Sequence, residues 1–147
     1  MVAAQTGKAV KLEEVPDQVF SQKMLGEGIA VIPSDNVVKS PVKGEIIMIP
    51  DTLHAYGIRT EDGVELIVHI GLDTVNLQGK GFTPQVKVGD QVEAGTPLCI
   101  VDKSMISDPQ KPLYTPVIIT NMSIVKNLTI HTGDVKAGET CVIEYEL

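Results

Sequence analysis

Two histidines, His54 and His69, stand fifteen residues apart on either side of an Asp-Gly turn signal. Imidazole is a good nucleophile near neutral pH because a useful fraction of it is unprotonated there. A lone histidine on a strand is usually structural, so the first question is whether these two meet. If they do, the pair can bind a metal, satisfy a loop or do chemistry, and their spacing alone does not choose among these.

The elements around them favour a meeting. LHAYGIRT and GVELIVHI read as two strands joined through Glu61-Asp62-Gly63, so the stretch from Asp51 to Val75 is expected to form a β-hairpin. A two-residue loop at Glu61-Asp62 pairs His54 directly with His69. A loop at Asp62-Gly63 sets His54 opposite Gly71 and diagonal to His69. Side chains alternate with period two, so both registers place the imidazoles on one face, and only a single-residue bulge would separate them. Val64, Leu66, Val68 and Ile70 form the inward set. That leaves His69, Glu65 and Ile67 outward, opposite His54, Tyr56 and Ile58, a face more apolar than a solvated sheet normally shows.

The rest of the chain reads as short strands punctuated by Gly and Pro. One helical turn fits in QVFSQKMLG, and no segment carries sustained helical periodicity. The expectation is an all-β antiparallel sandwich or barrel, one domain over residues 1–147. Weak internal echoes point to duplicated strand–turn units: TGKAVKLEEVPD with KGEIIMIPD, SPVKGEI with TPVIITN, and VKVGDQV with VKAGETC.

Composition narrows the function. The 43% apolar content fits a globular chain, and the net charge of −7 argues against nucleic acid, which asks for a basic patch. No apolar run approaches a transmembrane helix and no signal-peptide pattern is seen, so the expected location is the cytoplasm, with or without a membrane permease attached. Cys99 and Cys141 sit in the apolar runs PLCIV and TCVIEY and read as buried, reduced thiols. No cofactor is expected, and too few ligands surround the two histidines for a metal site of the chain's own; zinc would need a carboxylate from a partner. The third histidine, His131 in TIHTGD, reads as a surface residue.

Several long motifs in order carry a resemblance: VPDQVFSQKMLGEGIAVIPSD, SPVKGEI, DTLHAYGI, GVELIVHIGLDTVNLQGKGF, VKVGDQVEAGTPL and TPVIITN. From about Gln5 to the C-terminus the chain resembles the glucose-type enzyme IIA domain of the bacterial phosphoenolpyruvate-dependent sugar phosphotransferase system. The resemblance implies a duplicated barrel-sandwich hybrid that accepts a phosphoryl group from the carrier HPr and passes it to an enzyme IIB domain. It implies His69 as the phosphorylated residue, His54 as its stabiliser and Thr52 as the hydrogen-bond partner of His54. It places Asp17 and Asp73 near the docking surface, and Phe20, Met24 and Ile67 in its apolar patch. Lys80 and Leu53 depart from the usual pattern and leave the sugar and partner undefined.

VKVGDQVEAGTPL is similar to biotinyl and lipoyl carrier domains, but the modifiable lysine those need is misplaced here. A zinc peptidase would need an H-x-H pair, which the sequence lacks. The competing function of a different class is a regulatory module that binds transporters or metabolic enzymes according to its phosphorylation state.

Overall fold

The computed structural model describes residues 1–106 and 113–147; the proline-bearing stretch 107–112 lies outside the described residues. Strands dominate. In chain order they are β1 (Gly7–Lys11), β2 (Glu27–Pro33), β3 (Val37–Lys39), β4 (Gly44–Met48), β5 (Ala55–Arg59), β6 (Glu65–His69) and β7 (Phe82–Pro84). Then come β8 (Gln91–Val92), β9 (Pro97–Val101), β10 (Thr115–Ile119), β11 (Lys126–Ile130), β12 (Gly133–Val135) and β13 (Ile143–Glu146). Among the described residues the two α-helical pieces, α1 (Gln18–Ser21) and α2 (Lys103–Ile106), are single turns. No helix of the described residues is long and apolar enough to cross a membrane.

Eight strands form one sheet in the order β12-β1-β2-β10-β6-β5-β4-β8, and every pairing in it is antiparallel. A three-stranded sheet, β3-β9-β7, and the β11–β13 pair complete the all-β fold. One echo seen in the sequence acquires a place here. β1 and β4, which carry GKAVK and GEIIM, each stand third from the central β10–β6 seam. The echo between SPVKGEI and TPVIITN does not map this way, because β10 lies at the seam.

The main core lies between the large sheet and the smaller ones. Val64, Leu66, Val68 and Ile70 all point into it, as their spacing predicts, alongside Val38, Leu98, Cys99 and Ile143. A second, smaller core sits on the opposite face. There Val10, Ala30 and Ile118 project from adjacent strands, and the segment bearing α1 covers them with Leu12, Val15 and Phe20. That cover is why this sheet face is so apolar: part of it is the floor of a second layer.

Two sequence expectations need correction. Neither two-residue hairpin loop forms. Thr60 N–H donates to the Val64 carbonyl, so Glu61-Asp62-Gly63 is a three-residue loop, with Gly63 at φ +92 supplying the left-handed residue such loops require. The resulting register pairs Ala55 with His69, Gly57 with Ile67 and Arg59 with Glu65 on the outer face. Tyr56 and Ile58 therefore face inward and are fully buried, not outward as expected. Cys141 is exposed while Cys99 is buried: Cys141 lies just before β13, at an isolated bridge to Val2, and the inward positions of that run go to Val142 and Ile143.

Candidate functional site

His69 is the last residue of β6, where the strand breaks into the Gly71-Leu72-Asp73 turn. Its Nδ1 lies 2.8 Å from the Gly71 carbonyl oxygen. A carbonyl only accepts, so Nδ1 carries the proton and donates it, and Nε2 keeps a free lone pair. Gly71 adopts φ +78, and a Cβ there would stand 2.4 Å from Thr74 Cγ2. Thr74 in turn locks the turn from inside, its buried hydroxyl donating to the Ile70 carbonyl at 2.5 Å. The ring of Phe20 meets His69 edge-on, with centroids 5.0 Å apart at 62°. The imidazole is thus fixed by a hydrogen bond at one nitrogen and by packing on its side.

His54 reaches the same place by a route the hairpin pattern does not contain. By register its backbone stands opposite Ile70, whose N–H donates to the His54 carbonyl at 2.7 Å. Strict alternation would turn its side chain to the inner face. But β5 begins only at Ala55, and Leu53 before it is left-handed at φ +60, closing a turn in which Leu53 N–H donates to the Pro50 carbonyl. Freed from alternation, the His54 ring stands 4.9 Å from that of His69, at an interplanar angle of 77°. Thr52 Oγ1 lies 2.6 Å from His54 Nδ1. A hydroxyl can donate or accept; when it donates, the proton of His54 sits on Nε2, the nitrogen not occupied by Thr52.

Both rings are biased toward the neutral form. Burial lowers the pKa of His69 below the ordinary histidine value, and the nearby His54 pushes the same way. The Gly71 carbonyl, Asp17 and Asp73 oppose that shift more weakly. Burial also lowers the pKa of His54. A neutral His69 with its proton committed to Gly71 presents a nucleophilic Nε2.

The remaining expected residues divide. Asp17 caps α1, its Oδ1 accepting from Val19 N–H at 2.9 Å, and it also lines the shallow cleft beside His69. Asp73 lines the same cleft; it is left-handed at φ +57 and makes no side-chain cap bond to the 3-10 turn Thr74–Leu77 that follows it. Phe20, expected in a docking patch, is 4% exposed and packs in the second core, and its ring also lines the cleft beside His69. Met24 is 67% exposed, just beyond α1. Ile67 is half-buried on the His69 face of β6. Val19, Leu25 and Val75 also line the cleft and are exposed, and the sequence reading missed all three. Val75 stands inside the GLDTV motif itself, and Val19 and Leu25 flank residues that were chosen, so the signal was present.

Known proteins were compared with the chain. Residues 1–125 match the family model described as phosphoenolpyruvate-dependent sugar phosphotransferase system, EIIA 1. A glucose-specific EIIA component of the phosphotransferase system from Staphylococcus epidermidis is 46% identical over 142 residues, covering 95% of this chain and 84% of that protein. A glucoside-specific EIICBA component from Staphylococcus carnosus is 45% identical over 138 residues, 94% of this chain but 20% of that much longer protein. The solved structure of a glucose permease IIA from Mycoplasma capricolum superposes with a TM-score of 0.89 at 40% identity, covering 97% of this chain and 92% of that one. The chain therefore belongs to the EIIA 1 family of the phosphoenolpyruvate-dependent sugar phosphotransferase system and is one of that system's phosphotransferase components.

Proposed function

We propose that His69 is the phosphoryl carrier, receiving the group from HPr on Nε2 and handing it to an enzyme IIB domain during sugar uptake. The observation that carries this reading is the His69 Nδ1–H bond to the Gly71 carbonyl, which leaves Nε2 unprotonated on a ring that stands 4.9 Å from that of His54. The Nε2 lone pair attacks phosphorus in line as the bond to the departing HPr histidine breaks. The ring keeps its Nδ1 proton throughout, and the positive character it gains is stabilised by the Gly71 oxygen. In the second transfer the Nε2–P bond breaks and the ring returns to neutral.

Charge on the transferring group spreads over its equatorial oxygens, so positioned donors do most of the catalytic work. His54 fills that role through Nε2–H, with Thr52 donating to Nδ1 to fix the tautomer. The exposed apolar residues Val19, Met24, Leu25 and Val75, with the half-buried Ile67, form the face that closes on a partner and excludes water, which would otherwise hydrolyse the phosphohistidine. Asp17 and Asp73 at its rim suit partners carrying Arg or Lys. Residues 1–147 act as one domain in the cytoplasm, on their own or joined to a permease, as the EIICBA relative is by its name.

The test is to incubate the protein with phosphoenolpyruvate, enzyme I and HPr and map the phosphate by mass spectrometry under alkaline conditions. Phosphate on His69 is expected; phosphate on His54 or His131 with His69 bare refutes the reading.

A further inference from the structure

The third histidine is far from the site in sequence and matches none of the family motifs. It nonetheless has company. His131, Cys141 and Glu144 each offer one ligand atom, and these atoms all lie within 4.8 Å of one another. His131 Nε2 is 2.7 Å from Glu144 Oε2, and Cys141 is the exposed cysteine of the chain.

The backbone beneath the three is held on every side. β11 and β13 pair Thr129 with Glu144 and Ile130 with Ile143, and His131 N–H donates to the Val142 carbonyl at 2.9 Å. Cys141 bridges Val2, and Val142 N–H donates to the Met1 carbonyl at 2.9 Å. Only side-chain torsions remain free, so the three groups are assembled before any ligand arrives.

Imidazole, thiolate and carboxylate are the ligand types of zinc, whereas calcium and magnesium demand oxygen. Ligand atoms in a tetrahedral zinc site stand about 3.3–3.8 Å apart, given bonds of about 2.0–2.3 Å. Rotation of the exposed side-chain ends brings the trio to that spacing, widening the His131–Glu144 pair from 2.7 Å. The geometry points to a surface site for a borderline-soft divalent cation, Zn²⁺ in the first place, held by His131, Cys141 and Glu144 with the fourth position open to water or to a ligand from another molecule. Binding replaces the His131–Glu144 hydrogen bond with two bonds to the metal. The Nε2 proton that His131 donates to Glu144 exchanges through solvent, leaving a neutral imidazole protonated on Nδ1, and the Cys141 thiol releases its proton to solvent. The site ties β11 to the start of β13 and is independent of the phosphoryl-transfer reading.

Co²⁺ is the probe that tests it, added to the reduced protein. A single equivalent is expected to produce a sulfur-to-cobalt charge-transfer band, displaced by Zn²⁺. The His54–His69 pair has no sulfur and Cys99 is fully buried, so neither can give that band. Cys141→Ser removes it, and His131→Gln and Glu144→Gln each weaken Co²⁺ binding by about tenfold or more. Zn²⁺ raises the melting temperature of the native chain and leaves that of Cys141→Ser unmoved. Absence of the band in the native chain overturns the proposal. So does a band that survives Cys141→Ser, or one equally strong in His131→Gln and Glu144→Gln, which would mean cobalt on a solitary thiolate.

Discussion

Gly71 accepts a hydrogen bond from His69 at 2.8 Å and does so from a left-handed conformation, φ +78, with Thr74 Cγ2 standing 2.4 Å from where a Cβ would be. The atom that sets the tautomer of His69, the proposed carrier, is thus held by a residue that tolerates no side chain. Gly71→Ala is expected to lose about 1–3 kcal/mol of stability, from the strained φ and the clash together. It is also expected to slow phosphorylation of His69, because the carbonyl shifts as the turn relaxes. Thermal unfolding read beside the rate of transfer from phospho-HPr checks both. A variant of native stability and native rate would show that the turn has no part in fixing the ring.

Thr52 touches no reacting atom in this scheme and acts only through His54. The hydroxyl is what matters, so Thr52→Ser is expected to keep the transfer rate near that of the native chain, and Thr52→Val to lower it by about tenfold or more. Phosphate still lands on His69 in both. The ¹⁵N shifts of the His54 ring give the readout that a purely structural role would not move: the Nε2–H tautomer persists in the serine variant and mixes with Nδ1–H in the valine variant.

The histidine pair shows what sequence can carry and where it stops. Period-two alternation correctly sent Val64, Leu66, Val68 and Ile70 inward and left His69 facing out. It failed for Tyr56 and Ile58 because the loop holds three residues, and one residue of loop length flips every side chain of the opposite arm. His54 still meets His69, since Leu53 takes a left-handed φ that nothing in a leucine announces. The burial of Phe20 was not legible either. Whether an aromatic in a single helical turn faces solvent or covers a second core depends on Val10, Ala30 and Ile118, which come from three different strands. Cys141 shows the same limit, its apolar neighbours taking the inward positions and leaving the thiol outside.

The two histidines make stability and acceptor activity depend on pH in the same direction. Burial lowers the pKa of both, with the His54–His69 proximity adding to it for His69. The folded state then binds fewer protons than the unfolded chain, whose histidines titrate near pH 6.5. The stability these residues allow is full above that value and is lost as pH falls through it toward the lowered folded values. Urea midpoints between pH 8 and pH 5 are expected to fall more for the native chain than for a His54→Gln/His69→Gln variant. The acid limb of His69 phosphorylation should accordingly lie below the pH at which a free imidazole half-titrates. An NMR titration that places either ring at or above the ordinary histidine value contradicts this.

Phe20 and Met24 lie four residues apart and should separate cleanly into stability and docking. Phe20 is 4% exposed and packs in the second core against Leu12, Val15 and Ile118, so Phe20→Ala is expected to cost about 3 kcal/mol or more. The loss also removes the edge contact that steadies His69, so transfer slows even at temperatures where the variant remains folded. Met24 is 67% exposed, and Met24→Ala is expected to leave stability within about 0.5 kcal/mol of the native value. Its effect should fall on partner affinity, read as a raised half-saturation concentration for HPr with the maximal rate little changed, because an exposed apolar side chain contributes mainly by leaving water when a partner arrives. If Met24→Ala instead destabilised the fold and left HPr saturation unchanged, the apolar face assigned to docking would lose its most exposed member.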